Sequence, residues 1–185
     1  MAINVFNFSA LILAAYLSVF AEAVMDAPRN WLGAQIDLLP GLMVYLGLMW
    51  EFPFMLTIAV AAGLLFDSLS ANPFGITIIP LLLVGVMTHR YRDLILREQR
   101  FAQIVIGSGA SLAAPLLTVL LLEGFGQQPL VGWRSILPWL VMGLGGGLFT
   151  PVWFLLFGKL DRALRYPEDS DSSFRADREI ERGRT

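Results

Sequence analysis

The amino-acid sequence predicts an all-α polytopic membrane protein with six short transmembrane helices. Apolar residues make up 56% of the 185 residues, charged residues make up 15%, and the mean hydropathy is +0.66. A chain of this length cannot cover so much apolar surface with a water-soluble exterior. Prolines, glycines and isolated charges divide the apolar sequence into helix-sized segments. There are no cysteines, which excludes disulfides and thiolate metal sites.

Residues 5–24 form the first predicted helix, because they are apolar over about the 20 residues that a bilayer-spanning helix needs. A cleaved signal peptide is the alternative, since Ala21-Glu22-Ala23 has the form of a cleavage site. No Lys or Arg precedes it, which argues against cleavage. Glu22 is expected to be exposed at the end of this helix. Residues 25–34 form the following loop.

Residues 37–66 are too long for one comfortable helix, and we divide them into helices over residues 37–50 and 52–66. Glu51 decides the division. A carboxylate near the bilayer centre costs about 2.5 to 3.5 kcal/mol, whereas at a turn it reaches water. Pro53 also suits the first turn of a new helix. One tilted span is the alternative.

A structural turn follows the third predicted helix. Its residues are Asp67, Ser70, Pro73 and Gly75. Asn72-Pro73 has the form of an N-cap residue followed by proline, which predicts that the fourth helix begins near Pro73. Asp67 would lie near the amino end of that helix, where the helix dipole favours negative charge; exposure at the interface is the alternative. Gly75 is expected to permit close backbone approach in the first turn.

The fifth and sixth helices are predicted over residues 101–122 and 136–158, and residues 159–165 continue the sixth. With six spans, all but two of the thirteen Lys and Arg residues, Arg29 and Arg134, lie on one side of the membrane. Positive residues collect on the cytoplasmic side, so this side and both termini are predicted to be cytoplasmic. Five spans would place the N-terminus outside.

The chain divides into a transmembrane domain, residues 1–165, and a cytoplasmic tail, residues 166–185. The tail has few apolar side chains and is predicted to be disordered. A short docking helix over residues 175–182 is the alternative.

Small residues mark one stripe on each of the last two helices. Gly143 and Gly147 lie one turn apart on the sixth helix, and Gly107 and Ser111 lie one turn apart on the fifth. Such pairs let helix backbones approach closely in lipid. They are predicted either to pack within the chain or to bind the membrane helix of a partner.

No pattern for catalysis is present in the sequence. It contains no P-loop, no H-E-x-x-H, no G-x-S-x-G and no carboxylate pair at catalytic spacing on one span. His89 is the only histidine, and one histidine does not form a metal site. The sequence thus predicts no catalytic residue, cofactor, metal or nucleic-acid site, and favours a binding or scaffold role.

The chain resembles the rod shape-determining protein MreD family over residues 5–165. In that family an Asp ends the third helix, followed by a Ser three residues later and a Gly eight residues after the Asp; Asp67, Ser70 and Gly75 keep this spacing. LPGLMVYLGLMWEFP, residues 39–53, looks like the family's proline-bracketed second helix with a Tyr inside. TPVWFLLFGKLDRAL, residues 150–164, resembles its closing helix.

Two positions depart from the family pattern. Ala71 replaces a usual Gly after the Ser. Gly41 replaces a usual Asp after the first proline of the second helix, and Asp37 lies three residues before that proline.

The resemblance implies a non-enzymatic scaffold of the bacterial elongasome, the cell-shape and peptidoglycan-synthesis machinery of the inner membrane. The implied partners are MreC directly, and the RodA glycosyltransferase, a class B penicillin-binding protein and MreB directly or indirectly; a homodimer is also open. The implied fold is similar to the six-helix substrate-binding subunits of energy-coupling-factor transporters. That similarity supplies the alternative function, a vitamin-binding transporter subunit.

Overall fold

Helices follow one another along the chain in the order that the apolar segments predict. A computed structural model describes the backbone of residues 5–24, 33–70, 72–95, 99–127, 132 and 135–172. The helices in these ranges are α1 Val5–Val24, α2 Leu39–Met49, α3 Phe52–Leu69, α4 Ile78–Arg90, α5 Arg100–Gly124 and α6 Ile136–Ser172. No strand occurs in the same ranges, and the predicted all-α class is confirmed.

Four of these helices, α1, α3, α5 and α6, are long and apolar enough to cross a membrane. They indicate a multi-pass membrane protein. The other two are shorter, with 11 residues in α2 and 13 in α4. At 1.5 Å per residue these measure about 16 and 20 Å, against a hydrocarbon core about 30 Å thick. Six spans were predicted. In the described part of the chain, four of the six helices have the length that a span needs.

Helix α2 lies at the centre of the bundle and packs against all five of the other helices. Every residue from Leu39 to Leu48 is buried. A helix that is apolar on all sides needs this position, because it has no polar face to present to water. Since α2 is covered by protein along its length, its short length need not match the bilayer, but the polar groups at its ends need partners.

The predicted division at Glu51 is present. The Trp50 N–H donates to the Leu46 carbonyl at 2.9 Å and closes α2, and the Met55 N–H donates to the Glu51 carbonyl at 3.3 Å and opens α3. Glu51 itself is exposed. Pro53 stands in the first turn of α3, where a helix needs no N–H donor.

Contacts between helices assign each helix end to one of two ends of the bundle. His89 Nδ1 lies 3.1 Å from the Gly47 carbonyl, and Tyr45 stacks on Phe157 at 4.9 Å, so α2, α4 and α6 all finish at the same end. We call this the basic end, after cations that include Arg90, Arg92, Arg100, Lys159 and Arg162. At the opposite end, the turn end, the charged residues that the structure describes are Glu22, Asp37, Asp67 and Glu123.

Helix α6 continues beyond residue 165 as far as Ser172, so the first residues of the predicted tail extend this helix. The alternative docking helix over residues 175–182 lies outside the described residues. The same is true of most of the loop predicted over residues 25–34.

Candidate functional site

The turn after α3 is organised by the carboxylate of Asp67. Asp67 lies within the last turn of α3, and its exposed fraction is 2%. Its Oδ2 accepts hydrogen bonds from the Gly75 N–H at 2.7 Å and the Thr77 N–H at 3.2 Å. The Thr77 hydroxyl donates to Oδ1. The carboxylate therefore joins the end of α3 to the start of α4, and it is not exposed at the interface.

The start of α4 differs from the prediction. The helix begins at Ile78, five residues after Pro73, and residues 74–77 form a turn that precedes it. Gly75 explains the delay, because its φ is +87° and an α-helix cannot include that conformation. Asn72 is consequently not the N-cap of α4; Thr77 holds that position.

The reason for glycine at position 75 is also different from the one predicted. A Cβ added there would meet nothing closer than Ile78 Cδ1 at 3.9 Å, so close backbone approach does not require glycine. The positive φ does, because side chains of L-residues rarely adopt it. With this change of reason, Gly75 remains a structural residue of the turn.

The other two predicted turn residues belong to the same hydrogen-bonded unit. The Ser70 hydroxyl donates to the Asp67 carbonyl at 3.5 Å and accepts from the Asn72 N–H at 3.3 Å. The Pro73 carbonyl accepts from the Ile76 N–H at 3.3 Å. The spacing of three and eight residues after Asp67 thus corresponds to one folded turn.

The small residues of α5 and α6 face each other inside the chain. A Cβ on Gly107 would lie 2.0 Å from Thr150 Oγ1, one on Gly147 would lie 1.9 Å from Ser108 Oγ, and one on Gly143 would lie 2.5 Å from Leu112 Cγ. None of these contacts leaves room for a side chain. The packing of the two helices depends on these glycines.

Ser111 lies in the same contact, fully buried against Gly146 of α6. Among the residues that the structure describes, its hydroxyl has no hydrogen-bond partner. The structure therefore shows the first of the two alternatives, packing within the chain, for the four candidate partner-binding residues: Gly143, Gly147, Gly107 and Ser111. Their partner-binding role stays a prediction, and it would require α5 and α6 to move apart.

A carboxyl pair that the sequence analysis did not identify holds the amino end of α2. Glu22 Oε1 accepts the Leu38 N–H at 2.6 Å, and Asp37 Oδ1 accepts the Leu39 N–H at 3.0 Å. The two carboxyl groups also hydrogen-bond each other, and the Gln35 side chain donates to the Glu22 carbonyl. Glu22 is only 7% exposed, so the expectation of an exposed Glu22 is wrong.

The position of this pair explains why Glu22 is buried and Asp37 is partly buried. Helix α2 is central, and the first N–H groups of a helix have no acceptor within the helix, so the protein has to supply acceptors for them. Leu38, the N-cap residue, supplies no side-chain acceptor. Burial raises the pKa of Asp37 to about 6, although the hydrogen bonds from the Leu39 N–H and Glu22 oppose the shift. The sequence does contain one signal for a cap on α2, because Asp37 lies three residues before Pro40.

At the basic end, α2 finishes against α4 and α6. The ring of His89 bonds to the Gly47 carbonyl, one of the last acceptors of α2. Within the part of the chain that the structure describes, no group of three or more His, Cys, Asp or Glu residues could hold a metal ion. His89 thus binds a backbone group at a helix end, as Asp67 and the Glu22–Asp37 pair do.

Comparison of the chain with protein-family models, with curated proteins and with solved structures finds no match. The case for a function therefore depends on the residues and their geometry.

Proposed function

We propose that this chain is a non-enzymatic scaffold of the bacterial elongasome, in keeping with its resemblance to the MreD family. The chain would lie in the inner membrane, bind MreC directly, and help couple it to RodA, a class B penicillin-binding protein and MreB. The resemblance rests on three separate segments of the sequence. The proposal gains support if these segments belong to one structural unit.

One observation carries the proposal: two of the resembling segments pack on each other at the centre of the bundle, and the third forms a single turn. Tyr45 is the Tyr inside the proline-bracketed segment. The centre of its ring lies 5.1 Å from that of Phe154 and 4.9 Å from that of Phe157, and both phenylalanines belong to the closing segment. The Asp67 carboxylate binds the backbone of Gly75, the residue eight positions later. Residues that carry the resemblance therefore also hold the fold together.

The proposed fold is a six-helix bundle similar to the substrate-binding subunits of energy-coupling-factor transporters, with α2 and α4 also crossing the bilayer. Support comes from the course of the chain, because α2 and α4 both run from the turn end to the basic end. Short helices can cross where the bilayer thins or where protein covers their ends. The basic end would then face the cytoplasm, according to the positive-inside rule.

The vitamin-binding alternative requires several polar side chains that converge on an open pocket. Two of the polar groups near the turn end are already engaged: the Gln35 amide donates to the Glu22 carbonyl, and the Asp67 carboxylate accepts three hydrogen bonds. Gln127 is exposed. These contacts favour the scaffold over the transporter subunit.

Affinity purification from the native membrane tests the proposal. Under the scaffold proposal, MreC co-purifies with the tagged chain, and rod-shaped cells depleted of the chain become round. A wild-type cell shape after depletion, together with co-purification of an energising transporter module, would favour the vitamin-binding alternative. Identification of the co-purified proteins by mass spectrometry distinguishes the two.

A further inference from the structure

Large apolar side chains are exposed at the basic end, beyond the last turn of α4. The exposed fractions are 52% for Tyr91, 81% for Leu94 and 77% for Phe101. Apolar side chains on the spanning helices face hydrocarbon, but these three lie where α4 has ended or α5 has just begun. We call residues 91–95, with Arg90, Arg100 and Phe101, the α4–α5 connection.

Cations lie among these apolar side chains. Arg90 and Arg100 are exposed, and Arg92 is partly exposed. Arg92 Nε lies 3.9 Å from Asp93 Oδ1, a long contact between two solvated side chains that contributes little. Helices α4 and α5 pack on each other, so the three arginines belong to one end of a packed helix pair.

This combination fits the boundary between hydrocarbon and headgroups. Tyrosine and arginine collect there, because the ring or the aliphatic stem enters the apolar layer while the polar tip reaches the phosphates. If α4 crosses the bilayer, its short length would draw its basic end toward the hydrocarbon. Phosphate groups would then have to come to the arginines.

We propose that the α4–α5 connection is a binding surface for an anionic phospholipid, whose phosphate contacts Arg90, Arg92 and Arg100 and whose acyl chains lie against Leu94 and Phe101. Charge complementarity selects the anionic headgroup over a zwitterionic one. The exposed apolar side chains select a lipid over a free phosphate. This surface goes beyond the scaffold role and does not depend on it.

The test measures lipid binding to the purified full chain. The chain in an uncharged detergent is titrated with phosphatidylglycerol or with phosphatidylcholine, and bound lipid is counted by native mass spectrometry. The triple variant Arg90→Gln, Arg92→Gln, Arg100→Gln removes the cations of the connection. A matched triple variant, Arg175→Gln, Arg178→Gln, Arg182→Gln, removes the same charge from the C-terminal tail.

The wild-type chain is expected to bind phosphatidylglycerol in preference to phosphatidylcholine. The connection variant should lose that preference, with an apparent Kd weaker by at least about tenfold. The tail variant should stay within about twofold of the wild type, because it leaves the three arginines of the connection in place. Replacing the three connection arginines with lysine should keep most of the binding, since the positive charge is retained.

Two results would overturn the proposal. Equal weakening in both glutamine variants would mean that total charge, and not this surface, attracts the lipid. Unchanged binding in the connection variant would place the lipid elsewhere on the chain. Size-exclusion chromatography of each variant confirms that it is folded before lipid is added.

Discussion

Asp67 shows at the scale of one residue how a buried carboxylate can be structural. Its two oxygens accept from two backbone N–H groups and one hydroxyl. In Asp67→Asn the amide oxygen still accepts the N–H bonds, and the amide nitrogen can donate to Thr77. In Asp67→Ala the N–H groups of Gly75 and Thr77 lose their acceptor, at about 1 to 3 kcal/mol for each buried group. We expect Asp67→Ala to lower the membrane level of the chain well below that of Asp67→Asn on quantitative immunoblots. Equal levels would show that this carboxylate does not hold the turn.

Gly75 offers a test that separates conformation from space. The left-handed conformation costs roughly 1 to 2 kcal/mol for an L-residue and more for a β-branched one, while Asn tolerates it. Gly75→Asn should therefore remain closer to the wild type than Gly75→Val in thermal unfolding in detergent. If close packing were the constraint, the two side chains, which are similar in size, should be equally harmful. A Cβ added to Gly75 would lie 3.9 Å from Ile78 Cδ1, an ordinary van der Waals contact, so we expect conformation to be the constraint.

Asp37 predicts a dependence of stability on pH. Because burial raises its pKa from 3.8 to about 6, the folded chain binds a proton more tightly than the unfolded chain. The corresponding stability is fully present below pH 3.8 and is lost as the pH rises through about 6. Asp37→Asn keeps the acceptor for the Leu39 N–H and removes the charge, so at pH 7.5 it should unfold at a higher temperature than the wild type. The difference, at most about 3 kcal/mol, should shrink toward pH 4.

Glu123→Gln is the control for this pH experiment, since Glu123 is an exposed carboxylate at the same end of the bundle. Its melting curve should follow that of the wild type at every pH. A wild-type melting temperature that rises steadily from pH 4 to pH 6, by more than in Asp37→Asn, would contradict the predicted sign.

At the scale of a helix, α5 carries two glycines in contrasting positions. A Cβ on Gly107 would lie 2.0 Å from Thr150 Oγ1, whereas one on Gly109 would meet nothing within 4 Å. Thr150 cannot move freely, because it is β-branched and donates to the Gly146 carbonyl at 2.9 Å. Gly107→Ala should thus destabilise the chain by roughly 1 to 3 kcal/mol, while Gly109→Ala should be neutral or gain up to about 1 kcal/mol from helix propensity. Thermal unfolding in detergent compares the two, and identical melting temperatures would mean that α5 and α6 do not pack at Gly107.

The elements differ in how far local sequence determines them. The break at Glu51 could be predicted because a carboxylate and a proline within three residues both oppose a continuous span. The start of α4 could not, because Asn72-Pro73 is a good local start signal and only the positive φ of Gly75 overrides it. The cap on α2 could not either, because Glu22 and Leu38 are 16 residues apart and meet only through tertiary packing. The spacing of small residues predicted a stripe on α5 and another on α6, but spacing within one helix does not show which surface that helix contacts.

The whole molecule raises the question of how many helices cross the membrane. Helix α2 is covered by protein, and α4 runs between the Asp67 turn and the arginines of the basic end. The exposed arginines at the basic end of α4 favour an interface, and a polar turn precedes the other end, although the helix measures only about 20 Å. The helix can cross if thinning of the bilayer and protein around its ends together make up a deficit of about 10 Å, at a fraction of a kcal/mol per ångström of thinning.

Single cysteines placed before and after α4 measure this directly, and the chain has no native cysteine to interfere. If α4 crosses, Ala71→Cys and Ile95→Cys lie on opposite sides of the membrane. In intact cells a membrane-impermeant maleimide should then label position 71, and it should label position 95 only after permeabilisation, because the positive-inside rule places the basic end in the cytoplasm. Labelling of both positions from one side would show that α4 does not cross and is a re-entrant segment. Labelling of position 95 alone from outside would keep the crossing but invert the orientation of the bundle.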